Sequence, residues 1–499
     1  MKKIIIVLVI ALSALLYADA IKIGSKVFPE SRLLGEIVSV LIEENTALKV
    51  ERKLWMGGTK ICFEALKSGS LDIYCEYTGT AWNVVLKKTG KIENAKVVYE
   101  TCKKEFAKKF DLHWMKAIGF NNTYVMAINK DWPVETISDL AKVQDKVKLA
   151  LGHEFMHRED GFYAMCKFYN LVLPNVITME HSLAYKAVSE KTVDATNAYS
   201  TDGKLVKFGL KKLQDDKNFF PPYFAAPIVY GKTLRKYPQL QPLLDKLAGR
   251  IDDEKMTQLN YLVEIERKDF YDVAYDFLKA EGLIEKNSEK KERENEMVKL
   301  TKQHLFLVLV ATFFAMLIGV PLGIFVAKKR SFAPIILTTT GILQTIPSLA
   351  ILAIMVPIFG IGMIPSIIAL TLYALLPIIR NAYTGIISVD NELIEAARAM
   401  GMTNMQILTM LEIPLSTTII MAGVRTATVI CVGTATLAAF IGAGGLGEFI
   451  LTGINLNDNN LILSGTIPAA ILAILADFLL ARLEKWIEPQ GLKIQREES

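Results

Sequence analysis

No stretch of this 499-residue chain concentrates lysine and arginine among aromatic residues, and the formal net charge is only +5. A nucleic-acid surface leaves such a basic footprint, so nucleic acid is not expected as a partner. Low-complexity segments and short repeats are missing as well. Cysteine is scarce: Cys62, Cys75, Cys102 and Cys166 lie in the first part and Cys431 in a late apolar run. Four cysteines permit three pairings, and nothing in the spacing selects one over buried free thiols. A complete phosphate loop is lacking too. Gly231-Lys232-Thr233 ends like one, but Ala226 stands where its first glycine belongs.

Two further motifs are incomplete. His153-Glu154-Phe155-Met156-His157 matches H-E-x-x-H, whose zinc chemistry needs both histidines on one helix face and a third ligand. Here the match follows the strand-like residues 146–152 and reads as a strand-to-helix loop. Asp160 replaces the glycine of the extended motif, and neither Glu180 nor His181 sits in a supporting pattern. No metal and no cofactor is expected, and a zinc hydrolase is set aside. Gly442-x-Gly444-x-x-Gly447 matches a dinucleotide fingerprint but follows a long apolar run, whereas that fingerprint has meaning only within a strand–turn–helix unit.

What the chain has in quantity is apolar surface. Hydrophobic residues make up 52% and the mean hydropathy is +0.30, yet 22% of residues are charged, a mixture that implies a soluble part and a membrane part. Residues 1–20 read as a secretory signal: Lys2 and Lys3, an apolar stretch, then the small-x-small site Ala18-Asp19-Ala20. Residues 21–284 alternate strand-like runs (21–23, 50–54, 71–74, 124–128, 147–151, 193–198) with helical patterns. A helix is expected from Thr59, and Leu33, Leu34, Ile37, Val38 and Leu41 mark one face of another. This alternation implies an α/β architecture with helices on both sheet faces, long enough for two lobes.

Residues 285–296, a mixed-charge run without an apolar face, form the boundary of a linker reaching to 302. Beyond it, residues 305–327, 334–359, 361–387, 414–441 and 461–480 are five apolar stretches of spanning length. Lys328-Lys329-Arg330, Arg398, Arg482 and Lys485 fall on one side if the soluble part is outside, which satisfies the positive-inside rule. Pro347, Pro357, Pro365 and Pro377 are expected to kink these helices. Arg425, well inside the fourth stretch, is expected to face a pore or a packing partner.

The polar interruption at residues 390–415 organises this second part. Asp390 can cap a helix carrying Glu395, Ala396, Ala397 and Arg398, which ends at Gly401. Thr403 and Gln406 have capping-box spacing, and Pro414 suits the first turn of the next helix. Glu395-Ala396-Ala397, Gly401 and the ending Leu411-Glu412-Ile413-Pro414 resemble the EAA loop of importer permeases of the ATP-binding cassette class, with Leu-x-Ile-Pro for the usual Ile-x-Leu-Pro. The resemblance implies that this loop docks a separate cytoplasmic ATPase and that the permease part, residues 303–490, dimerises around a pore. The runs QTIPSLA (344–350) and FIGAGGLGEFI also resemble betaine-type permeases.

In the first part, tyrosines sit where strand-like runs meet turns: Tyr77 in EYTGT, Tyr124 in NNTYVMAI, Tyr199 in NAYSTDG and Tyr223 in FFPPYFAAP. With GSKVF, GGT at Gly57 and REDG at Arg158, they resemble the binding proteins for glycine betaine, choline and related osmoprotectants. That resemblance implies a two-lobed periplasmic-binding-protein fold in which Tyr77, Tyr124, Tyr199 and Tyr223 wall an aromatic cage. It also implies that Lys26, Thr80 and Arg158 hold a carboxylate, with Asn122 standing where some relatives have aspartate. The physics agrees, since a trimethylammonium group has no N–H to donate and ring faces are its natural receptors.

The expectation is therefore a multidomain transport subunit and not an enzyme. An extracytoplasmic α/β binding domain (21–284) precedes an all-α permease of about five spans in the bacterial plasma membrane, with a cytoplasmic tail at 491–499. Its solute is a quaternary ammonium compound or betaine; another betaine such as ergothioneine is the alternative. A ligand-gated channel with a binding-protein ectodomain is the rival from another class, but it has no use for a coupling loop.

Overall fold

The computed structural model describes residues 20–88, 95–158, 161–179, 181–220, 222–285, 295–456 and 458–489. The expected signal segment before Ala20, most of the charged linker and the tail lie outside the described residues. The chain divides into two compact units, residues 1–291 and 292–499.

In the first unit, β1 (Ala20–Gly24), β2 (Lys49–Lys53), β3 (Ile73–Tyr77) and β4 (Leu112–Trp114) precede β5 (Tyr124–Ile128), β6 (Leu149–Gly152), β7 (Val176–Met179), β8 (Ala195–Tyr199), β9 (Lys211–Lys212) and β10 (Ala225–Tyr230). They form two five-stranded sheets, β2-β1-β3-β10-β4 and β7-β6-β8-β5-β9. In each, three parallel strands are followed by an antiparallel one, β10 against β3 and β5 against β8. These antiparallel strands are the ones the chain enters after crossing between sheets. The two crossovers meet at a bridge between Asn121 and Phe224. The first lobe is thus built from both ends of the unit and the second from its middle.

Four helices position the site: α1 (Pro29–Asn45), α2 (Gly203–Lys207), α3 (Asp253–Glu264) and α4 (Phe270–Ala280). Pro29 opens α1, where its missing N–H costs nothing. The expected face of Leu33, Leu34, Ile37, Val38 and Leu41 is buried, but so are Gly35, Glu36 and Ser39. Arg52 makes the burial of Glu36 tolerable, donating to it at 2.7 Å and to Glu43 at 2.6 Å. Strands β4, β7, β9 and β10 went unanticipated, β10 because Pro227 within it argues against a strand flanked on both sides. The match to H-E-x-x-H forms a single helical turn, His153–His157, directly after β6. All five cysteines are free, and burial pushes the Cys62 and Cys75 thiols up to about 12.

The second unit is helical: α5 (Glu296–Lys328), α6 (Ala333–Thr345), α7 (Ser348–Phe359), α8 (Met363–Ile387), α9 (Asn391–Ala399), α10 (Ile413–Ala435) and α11 (Asn459–Ile487). Its core is made where Leu307, Ala311 and Ala315 of α5 meet Ala374 and Ile378 of α8 and Val424, Ala427 and Cys431 of α10. Alanines at these contacts let helix axes approach, as in membrane bundles. Large apolar side chains cover the outside of the bundle, among them Leu309 and Phe313 on α5 and Ile471, Ile474 and Phe478 on α11. Among the described residues four helices are long and apolar enough to cross a membrane, or five spans if the bent pair described next counts as one.

The stretch 334–359, expected as one span, is broken: α6 and α7 are bent by 95°. The break falls at Ile346–Pro347, where Ile346 is extended, as a residue before proline prefers. The Tyr373 hydroxyl donates to the Ile346 carbonyl, satisfying a group that the broken ladder would leave alone. The run around Gly442 and Gly444 is a loop leading into the helix Gly447–Leu456, with the helical segment Thr436–Ile441 before it instead of a strand.

Candidate functional site

Strand register assembles the aromatic residues. Tyr124 and Tyr199 are direct partners across β5 and β8, with ring centroids 4.9 Å apart and hydroxyls 3.3 Å apart. Tyr223 lies on the returning crossover, fixed by its backbone N–H on Asn121 Oδ1 at 2.7 Å, and meets the Tyr124 ring edge-on at 6.4 Å. The Arg158 guanidinium sits 5.5 Å from the Tyr124 ring centroid, with Nη2 3.5 Å from the Tyr223 hydroxyl. Three tyrosines and the arginine therefore form one cluster. Phe155 and Phe220 back the Tyr124 ring at 5.2 and 6.1 Å. Phe155 lies in the H-E-x-x-H match and Phe220 in FFPPYFAAP, and no spacing in either run marks the ring as part of a site.

Tyr77 stands apart from that cluster. It ends β3 opposite Ala225, its ring 6.0 Å from Phe28 and 5.0 Å from the Lys26 ammonium. Lys26 is buried and paired with the equally buried Glu76, which also accepts from the Tyr74 hydroxyl at 3.0 Å. A lysine so paired meets a solute carboxylate with its charge already matched. Thr80, half-buried, ends the helical turn Thr78–Thr80 that follows β3.

Glu30, in the first turn of α1, ties these pieces together and was not anticipated. Its Oε1 accepts from the Tyr77 hydroxyl and from Asn122 Nδ2, each at 2.7 Å. Its Oε2 accepts from Thr201 Oγ1 at 2.6 Å and Asn260 Nδ2 at 2.8 Å. Burial pushes the Glu30 carboxyl above its ordinary range against the pull of these four donors, and burial with Glu30 beside it holds the Tyr77 phenol well above its own. Asn122 Nδ2 is committed to Glu30, while its buried Oδ1 has no hydrogen-bond partner among the described residues. The only advance hint of Glu30 was its position two residues beyond the GSKVF run.

Nearby, α2 of the second lobe rests on α3 of the first. A Cβ at Gly203 would come 2.7 Å from Tyr261 N and 2.8 Å from its Cα, so this approach requires glycine. Asp202, the N-cap of α2, accepts from Tyr185 at 2.7 Å and shares a hydrogen bond with Glu264. Burial first, then Asp202, pushes the Glu264 carboxyl up to about 8.

The polar loop of the second unit has the local structure that its residues dictate. Asp390 accepts from Glu392 N at 2.8 Å, and α9 is closed just past its end by Gly401, whose φ of +83° favours a residue without a side chain. Thr403 and Gln406 form the reciprocal capping box, and Pro414 lies in the first turn of α10. Ala397 is buried, whereas Glu395, Ala396 and Gly401 are exposed. Leu393, Met400, Met405 and Met410 are exposed too, and methionine suits an adaptable contact surface. Lys328 at the end of α5 pairs with Glu412 beside this loop. Arg425 donates to both Asp477 oxygens at 2.9 and 3.0 Å and to Glu484 at 3.2 Å, joining α10 to α11. Among the described residues no group of His, Cys, Asp and Glu is placed to hold a metal ion.

Comparison with known proteins covers both units. Residues 19–280 match the substrate-binding domain of ABC-type glycine betaine transport systems, and residues 319–490 match the inner-membrane component of binding-protein-dependent transport systems. A carnitine transport permease of Listeria monocytogenes is 46% identical over 206 residues, 41% of this chain and 94% of that protein. A carnitine transport binding protein of the same species is 34% identical over 273 residues, 54% of this chain and 88% of its own length. An ergothioneine transport permease and binding protein of Helicobacter pylori is 38% identical over 266 residues; these are 52% of this chain but only 47% of that relative. A solved glycine betaine/carnitine/choline ABC transporter structure superposes with a TM-score of 0.51 at 32% identity, covering 53% of this chain and all of that one. A two-sheet α/β unit matched along its length to one family and a helical bundle matched to the other make this chain a member of the binding-protein-dependent ABC importers of the glycine betaine type, with substrate-binding domain and permease fused in one polypeptide.

Proposed function

We propose that this chain is the substrate-binding and permease subunit of an ATP-driven importer for quaternary ammonium compounds of the glycine betaine, choline and carnitine type. The observation that carries the reading is the cluster of Tyr124, Tyr199 and Tyr223, ring centroids 4.9 and 6.4 Å from Tyr124, beside the Arg158 guanidinium. Ring faces receive a trimethylammonium group, and a guanidinium fork receives a carboxylate at the other end. Tyr77 contributes a fourth ring, Thr80 a hydroxyl to the carboxylate, and Lys26, held on Glu76, shapes the Tyr77 face.

In this reading residues 1–20 direct export, 21–284 bind solute outside the cell, 285–302 tether, and 303–490 span the plasma membrane as a homodimer around a pore. The loop with Glu395, Ala396, Ala397 and Gly401 faces the cytoplasm and docks an ATPase carried on a separate chain; 491–499 form a cytoplasmic tail. Arg425 locks α10 to α11 through Asp477 and Glu484. One observation favours a second, narrower reading. The buried Asn122 Oδ1, unpaired among the described residues, suits a betaine that brings its own donor, an O–H as in carnitine or an N–H as in ergothioneine. Calorimetry of the purified chain with glycine betaine, choline, carnitine and ergothioneine tests both. Saturable binding of at least one is expected; no heat with any of them, alongside tight binding of an ordinary amino acid, would overturn the substrate class.

A further inference from the structure

We infer that Glu30 is the latch that holds the two lobes of the binding unit together, a positioning residue that acts through its partners and not on the solute. The inference rests on the binding function proposed above. Glu30 belongs to the first lobe and is only 4% exposed. An ionised carboxylate only accepts, with about four lone-pair positions, and protein donors fill four here. Two come from the first lobe, Tyr77 and Asn260; one comes from the crossover, Asn122; and Thr201 comes from the second lobe, two residues beyond β8.

Asn260 closes the link a second time by donating to the Thr201 carbonyl at 2.8 Å. Directly after Thr201 come Asp202, bonded to Glu264 of α3, and Gly203, packed on the Tyr261 backbone. One short segment of the second lobe is therefore clasped by α1 and α3 of the first. Every donor to Glu30 is supplied by the protein, so the clasp is complete in itself and needs no group from the solute. Its place at the ends of β1 and β8, next to Tyr77 and Asn122, means that opening it disturbs two groups at the edge of the solute site together.

The test compares wild type, Glu30→Gln and Thr201→Val in the full chain in lipid nanodiscs. Both substitutions preserve shape, and the first turns one acceptor oxygen into an NH2 facing two donors. Hydrogen exchange without solute is expected to speed up roughly tenfold or more at residues 200–205 and 257–262 in both variants, while the central strands β1 and β6 stay protected. Kd for glycine betaine and for carnitine should rise by the same factor, roughly ten- to hundredfold for Glu30→Gln and less for Thr201→Val, mostly through faster release. Unchanged exchange in both variants overturns the latch, as does a shifted carnitine-to-betaine ratio in Thr201→Val, which would make this a solute contact. If wild type binds neither solute, the proposed function fails, and the solute-free exchange still decides the latch.

Discussion

Replacing Tyr124 tests the cage most directly, because its ring touches every other ring of the cluster. It lies 4.9 Å from Tyr199, 5.2 Å from Phe155 and 6.4 Å from Tyr223, and only 7% of it is exposed. Alanine is the wrong probe: Tyr124 is part of the second lobe's core with Met126, Leu151 and Phe155, and emptying such a site costs ~3–5 kcal/mol of stability. Leucine keeps much of the apolar volume and removes the ring face. A desolvated cation–π contact is worth about 2 kcal/mol, and 1.4 kcal/mol is tenfold in Kd, so Tyr124→Leu should weaken glycine betaine roughly thirtyfold. Phenylalanine keeps the face and loses only the 3.3 Å hydroxyl contact with Tyr199; its Kd should stay within roughly threefold of wild type. Calorimetry on the full chain, with melting temperatures measured alongside, reads both effects. A Tyr124→Leu protein that folds and binds glycine betaine as tightly as wild type refutes the cage.

Three further outcomes are expected. Glu264, pushed up to about 8 from 4.5 by burial and by Asp202, holds a proton in the folded state that the unfolded chain releases. Its contribution is full below pH 4.5 and is lost as pH rises through about 8, with a slope of at most ~1.4 kcal/mol per pH unit. Thermal melts of wild type and Glu264→Gln between pH 5 and 9 check this; equal slopes contradict it. Gly401→Pro removes the N–H that bonds Arg398 O and forbids φ of +83°, so uptake and solute-stimulated ATP hydrolysis should vanish while solute binding persists. Uptake at the wild-type rate without any ATPase would favour a channel instead. His157→Ala, in the incomplete zinc motif, should leave solute affinity within a few fold, with the protein metal-free by elemental analysis; stoichiometric zinc lost in this variant would restore the motif.

How much of this was legible in the sequence depended on whether the deciding interaction was local. Asp390, Gly401, Thr403, Gln406 and Pro414 act on neighbours within a turn, so the loop they build could be read directly. The β5 strand was legible to the residue because its apolar run is bounded by polar turns. Of the clustered groups, Tyr124, Tyr199, Tyr223 and Arg158 could be picked out because each stands at or next to a turn. Glu30 could not, since its four partners are scattered from Tyr77 to Asn260 and no spacing rule links them. Lys26 carried a charge that looked available; only the register of β1 beside β3 brings Glu76 against it. The break at Pro347 was foreseen as a kink, and its size of 95° was not, because the partner of the freed Ile346 carbonyl, Tyr373, lies 27 residues away.

The strand order of the first sheet also sets a timetable for synthesis. In β2-β1-β3-β10-β4, strand β10 separates β3 from β4 yet is made last, after the whole second lobe. As the chain leaves the ribosome, β3 waits with one edge unpaired and β4 has no neighbour in the sheet at all. The second lobe, from β5 to β9, is contiguous and can complete itself first. The lobe that carries Glu30 and Lys26 therefore matures only when the residues after Tyr223 arrive, and until then β3 is an open edge of the kind that recruits foreign strands.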